Sequence, residues 1–191
     1  MRMDDKELME QVKTGDEEAF AQIVSAYKNR VVNFLWQLMG NYEKAVEISQ
    51  ETFMRVYFKA DKYQPIAPLS SWIYTIAANL AKTELKKSSR LPQVPMEAVE
   101  NFLAEGSAVS HDSARKDMIK KVRQAIDALP PRYRIPVVLK DIEGFSQEEI
   151  AQMMKRPIGT IKARISRGRS QLKRELERSV FASDSLAVNE E

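Results

Sequence analysis

Residues 16–40, DEEAFAQIVSAYKNRVVNFLWQLMG, set Phe20, Ile23, Val24, Tyr27, Val31, Phe34, Leu35 and Leu38 at steps of three and four. That is the helical repeat, so these side chains form one apolar stripe that must be buried. A half-buried strand would alternate at every second residue, and no segment of the chain does so. Gly40-Asn41 ends the stripe as a helix C-terminus should. A second helix is predicted from about Glu43 to Lys59, broken by KYQPIAPLS with its two prolines. Ser70 or Ser71 is the expected cap of a third, SWIYTIAANLAKTELKK. With only 6 Gly and 8 Pro, little interrupts such helices, and the expected fold class is all-α.

The pattern lapses at Arg90. RLPQVPMEAVENFLAEGSAVSHDS has prolines, small residues and no sustained period, which reads as a flexible linker over 91–113. One short helix is expected within it, around Met96–Ala104. Periodicity returns at about Ala114, with Met118, Val122, Ala125, Ile126 and Leu129 on one stripe that Pro130-Pro131 stops. RYRIPVVLKDIEG then places Pro136 near a helix start and Gly144 at its close. The tail SVFASDSLAVNEE has no amphipathic plan. The reading is therefore two small helical domains, 1–90 and 114–178, joined by the linker and followed by a disordered tail, 179–191.

Several classes of function are excluded by what is missing. There is no cysteine, which removes disulfides, zinc-thiolate sites and thiol catalysis and suits a reducing cytosol. The single histidine, His111, lies in the linker, so no metal, cofactor or catalytic role is assigned. MRMDDKELMEQVK is too polar for a signal peptide, and no run reaches the roughly 18 apolar residues of a membrane span. A soluble, cytoplasmic chain is expected. Net charge is only +3, so the distribution of charge carries more information than its sum.

That distribution is uneven. In SQEEIAQMMKRPIGTIKARISRGRSQLKREL, Ser146 and Glu149 form a capping box that fixes the start of a helix. Ile150, Met153 and Met154 give this helix an inner face, and small Ala151 lets a second helix cross closely. After the turn KRPI, the next helix is expected to begin near Gly159 and Thr160, with Ile161, Ile165, Leu172 and Leu176 inward. Lys162, Ala163, Ser166, Arg167, Ser170 and Arg174 then point outward, flanked by Arg164 and Arg169. Two helices with a tight turn and a basic, short-side-chain outer face suit docking in a DNA major groove. The competing reading is a solvated surface helix with basic decoration.

This segment resembles the fourth conserved region of bacterial RNA polymerase sigma factors, most closely the extracytoplasmic-function group. The shared residues are Glu149-Ile150-Ala151 and Pro157-Ile158-Gly159-Thr160-Ile161-Lys162-Ala163-Arg164, led by LPPRYRIPVVLKDIEGFS. The resemblance implies that the second helix reads the minus-35 promoter element as duplex DNA, through Thr160, Lys162, Ala163, Arg164, Ser166, Arg167 and Arg169. Two positions depart from the family pattern. Lys155 stands where the turn often has Gly, Asn or Asp, and Ala163 replaces a frequent Ser.

In the first half, EEAFAQIVSAYKNRV, AVEISQETFMRVY and LSSWIYTIAANLAKTELKK are similar to the family's second region, in the same order. In AVEISQETFMRVY, Ala45, Ser49, Thr52, Phe53 and Val56 face a core and Glu47, Gln50, Glu51 and Met54 lie on another side. Without the family, a solvated acidic face is the simpler account. The resemblance makes this face the contact with core polymerase, at the clamp helices of its largest subunit. It also assigns the third helix and its preceding loop to the minus-ten element as single strand, with Tyr63, Trp72, Asn79, Lys82 and Lys86 as the contacts. Most of that helix's apolar side chains read equally well as core. The further implied partner is an anti-sigma factor, with no membrane insertion of this chain. The alternative function is a stand-alone helix-turn-helix regulator binding duplex operator DNA. A recombinase-like enzyme would need an α/β catalytic domain, and no strand pattern supplies one.

Overall fold

The computed structural model describes residues 4–88 and 113–187. Within them the chain forms α1 (Asp5–Lys13), α2 (Glu17–Met39), α3 (Tyr42–Phe58) and α4 (Leu69–Ser88), then α5 (Ser113–Asp127), α6 (Pro131–Val137), α7 (Gln147–Met154) and α8 (Ile158–Ala187). No strand occurs among the described residues.

Local chemistry sets most of the boundaries. The Asp16 carboxylate accepts from the N–H groups of Glu18 and Ala19 and starts α2. Gly40 ends it in the left-handed conformation, φ 70°, which costs glycine little. Asn41 caps α3 by accepting from the Lys44 N–H at 2.9 Å. The stripe of α2 then buries Ile23, Val31, Phe34, Leu35 and Leu38 against Phe53 and Val56 of α3 and Ile73 and Ala77 of α4.

The second half closes around α6 and α8. Gly168 is buried where the two helices meet, and a Cβ there would lie 2.6 Å from Val137 Cγ2. Valine is stiff about χ1 and Val137 is itself buried, so the contact has no easy escape. Gly168→Ala should therefore destabilise this half by about 1–3 kcal/mol through overpacking. Thermal unfolding checks this, and Val137→Ala in the same chain should return part of the loss.

Several boundaries differ from the sequence reading. Helix α4 begins at Leu69, directly after Pro68, so Ser70 and Ser71 sit inside its first turn rather than capping it. Pro136 is not near a helix start but inside α6, and a wide π turn, Val138–Ile142, follows it before Gly144 at φ 81°. Proline has no N–H to donate and crowds the carbonyl four residues back. Helix α8 begins at Ile158, ahead of Thr160, and continues to Ala187, so much of the expected disordered tail is helical. Ser179–Ala187 contains neither Pro nor Gly, and nothing in it breaks the helix. The short helix expected at 96–104 lies outside the described residues.

The two halves also touch. Ile126, Ile135, Val138 and Phe145 join the same buried cluster as Phe34 and Tyr74. Two tethered domains were expected; a shared core was not.

Candidate nucleic-acid interface

The helix-turn-helix is built as its sequence implies. Ser146 accepts from the Glu149 N–H at 3.1 Å, and the Glu149 carboxylate accepts from the Ser146 N–H at 2.8 Å. Those bonds, the backbone one first, hold the Glu149 carboxyl below its usual range. Lys155 takes the left-handed turn position, φ 50° and ψ 54°, a strain of about 1–2 kcal/mol for a residue with a Cβ. Ile150 and Met153 of α7 and Ile161 and Ile165 of α8 are buried, fixing the angle at which α8 presents its other side.

On that other side Lys162, Ala163, Ser166 and Arg167 are exposed, and Thr160 and Arg164 are half-buried at its edge. A row of short side chains between cations lets the helix approach a base edge while phosphates meet Lys and Arg. Arg169 is different. Its guanidinium is held by both carboxylate oxygens of Asp141, with Nε donating to Oδ2 at 2.9 Å. The pair raises the Arg169 pKa further and commits its fork to the protein.

In the first half the predicted contacts separate into two groups. Asn79, Lys82 and Lys86 lie exposed along one side of α4. Tyr63 does not join them: it is only 4% exposed, its ring 5.3 Å from that of half-buried Trp72 and its hydroxyl donating to the Ala67 carbonyl at 3.3 Å. The ring expected to stack on a base is used to fold the loop back onto α4. Burial accordingly pushes the Tyr63 phenol up. At the tip of the same loop Ile66 is 86% exposed, a residue the sequence reading passed over.

On α3, Glu47, Gln50 and Met54 are exposed and Glu51 is half-buried. Glu47 pairs with Lys44 at 2.7 Å and Glu51 with Arg55 at 2.7 Å, both surface ion pairs of small energetic weight. Phe58, also missed, is 73% exposed one turn beyond Met54, which is 53% exposed. The i, i+4 spacing from Gln50 through Met54 to Phe58 would have shown it. An acidic flank beside two exposed apolar side chains is an unusual surface for a protein to leave in water.

Among the described residues no cluster of His, Cys, Asp or Glu could hold a metal ion, and no helix is long and apolar enough to cross a membrane.

Comparison with known proteins agrees with both halves. Residues 23–91 match the model of Sigma-70 region 2, and residues 119–172 match that of Sigma-70, region 4. The chain is 33% identical over 186 residues to the ECF RNA polymerase sigma factor SigW of Bacillus subtilis, covering 92% of this chain and 98% of that one. It is 29% identical to the RNA polymerase sigma-H factor of Pseudomonas aeruginosa over 91% of this chain and 94% of the other. Among solved structures it is similar to the sigma factor RpoE in complex with the anti-sigma factor NepR from Bartonella quintana. That match has a TM-score of 0.66 and 26% identity, over 83% of this chain and 96% of that one. A stand-alone operator-binding regulator would share the helix-turn-helix but not the whole length of these relatives. The chain belongs to the extracytoplasmic-function group of RNA polymerase sigma factors.

Proposed function

We propose a division of this sigma factor's work between residues 1–90, which bind core polymerase and the minus-ten strand, and residues 114–178, which bind the minus-35 duplex. The α8 face carries the second task. Lys162 and Arg167 meet phosphates and base edges, Arg164 reaches in from the side, and Ala163 and Ser166 allow the approach. Thr160 serves the phosphate nearest the helix N-terminus. Arg169 contributes through the fold, by tying α8 to Asp141. What supports this reading is an exposed, side-chain-poor, basic face opposite the buried Ile161 and Ile165 of a helix-turn-helix.

For the minus-ten element, Asn79, Lys82 and Lys86 follow a separated strand along α4. Trp72 and Tyr63 shape the loop that meets the bases, with Ile66 at its tip. Single-strand binding of this kind joins a cationic track to apolar surfaces for the bases. Glu47, Gln50, Glu51 and Met54 engage the clamp helices of the polymerase's largest subunit, with Phe58 extending the apolar contact. Catalysis belongs to the polymerase; this chain selects the site and works in the cytoplasm, where the polymerase is. The likeness to a sigma factor solved with its anti-sigma factor supports an anti-sigma partner here as well.

Glu47→Lys reverses charge at an exposed position and should leave the fold intact while weakening core association about tenfold or more. A pull-down with purified core polymerase, alongside far-UV circular dichroism, checks this. Undiminished association would mean that another face of α3 makes the contact.

A further inference from the structure

The outward side of α8 is rich in cations, and one of them is already occupied. Lys162, Arg164 and Arg167 make no ion pair with any described residue. Farther along, Lys173 and Arg178 pair with Glu177 and Glu175 of the same helix. Among the described cations of α8, Arg169 alone is held by a carboxylate from another element. That carboxylate is Asp141, 28 residues earlier in the chain, in the π turn Val138–Ile142.

The hold takes up one edge of the guanidinium. Nε donates to Oδ2 at 2.9 Å and Nη2 to Oδ1, so both oxygens are engaged and the planar fork is fixed. Both residues are nonetheless exposed. As a brace the pair is modest, because water weakens an exposed ion pair and the buried Ile161, Ile165 and Gly168 already seat α8. Its effect on charge is larger. At 100° per residue, Arg169 lies about 20° from Lys162 around α8 and about 10 Å farther along it. The two therefore share a flank. Phosphates of one strand follow at about every 3.4 Å of duplex axis, so a strand that meets Lys162 also passes within reach of a freed Arg169.

We propose that Asp141 limits the grip of this face on duplex DNA, by keeping Arg169 from the phosphates. This rests on the assignment of α8 to the minus-35 duplex. A phosphate contact adds affinity on any sequence and nothing to the choice between sequences. For a chain that selects among promoters, one more such contact lengthens its stay on unrelated DNA without improving the choice. Asp141 withdraws that contact and leaves Lys162, Arg164 and Arg167 to the groove. It is a positioning residue, acting through the arginine it holds.

The test is binding of the full chain to a labelled duplex of unrelated sequence, by fluorescence anisotropy, from about 50 to about 200 mM salt. Asp141→Asn keeps the shape of the side chain and loses its charge. Asp141→Ala does the same without an amide to hold the arginine. Asp141 is exposed, so both variants should fold, which circular dichroism checks. Both should bind more tightly than the parent at low salt. The slope of log affinity against log salt should steepen by about one, so the gain shrinks about three- to fourfold across that range. Adding Arg169→Gln to Asp141→Asn should return the parent slope, and Asp141→Glu, which keeps the pair, should match the parent. Glu148→Gln removes an exposed carboxylate of α7 that pairs with no described cation, and should leave the slope nearly unchanged.

Weaker binding by Asp141→Asn overturns the proposal, since Asp141 would then be aiming Arg169 at the duplex. An unchanged slope overturns it as well, reducing the pair to a brace for α8. So does an equal steepening in Glu148→Gln, because any lost carboxylate would then suffice. Lys162→Ala with Arg167→Ala separates this from the promoter reading. If that variant binds as the parent does, α8 is not the DNA face and both fail. If it binds more weakly while Asp141→Asn matches the parent, only the role of Asp141 fails.

Discussion

Arg134→Ala should cost about 3 kcal/mol or more of stability, the largest loss expected from any single polar side chain among the described residues. Arg134 is nearly buried, and its guanidinium donates to three carbonyls: Leu129 at 3.1 Å, Asp127 and Leu38. The first two lie at the C-terminal end of α5, so one side chain caps the helix that precedes it as well as α2. The Asp127 carboxylate, 3.6 Å away, supplies the opposite charge. Burial lowers the Arg134 pKa and raises that of Asp127, each shift opposed by attraction to the other group. Removing the arginine leaves three carbonyls without that donor and the Asp127 carboxylate without its main cation. Arg134→Lys restores the charge but not the planar fork and should recover only part of the loss. Thermal unfolding of the three chains measures this, and equal midpoints would contradict it.

The second large effect falls on α8. Arg164→Ala and Arg167→Ala should each reduce transcription from a promoter dependent on its upstream element. The loss is about 5- to 150-fold where a base contact goes, and less where only a phosphate contact goes. Together they should abolish it to within background. Neither side chain has a partner in the packed core, so the fold and core association should persist. Arg169→Ala should act otherwise, because its guanidinium is bound to Asp141 and its removal loosens the anchor of α8 on the turn after α6. The discriminating measurement is run-off transcription on paired templates, one with an intact upstream element and one with it scrambled. Loss confined to the intact template supports readout by this face, and equal activity of all the variants would overturn it.

What the sequence made legible was local. The α2 stripe, the capping box at Ser146 and Glu149 and the outward face of α8 all depend on residues within a turn or two of one another. Their energetics are therefore written in neighbouring positions. The errors were of two kinds. Ser70 and Ser71 look like caps, but Pro68 fixes the chain direction one turn earlier, and Ser71 ends up facing Glu149 instead. Tyr63, in a proline-bearing loop, reads from sequence as a candidate for stacking on a base, yet Trp72 lies within packing distance once the loop turns back. The contact between the halves was invisible for a stronger reason. Arg123 and Trp36, or Tyr74 and Glu143, stand 87 and 69 residues apart, and no periodicity links them. Nothing local marks Arg134 for its place at two helix ends, because Leu38 lies 96 residues away from it.

The central claim is that this chain brings core polymerase to promoters carrying both elements. Genomic DNA transcribed in vitro by core polymerase from the same cell, with and without the chain, tests it directly when the transcript starts are mapped. The account predicts a set of starts that appear only with the chain and share sequence near minus ten and minus 35. Starts identical to those of core polymerase alone would contradict it.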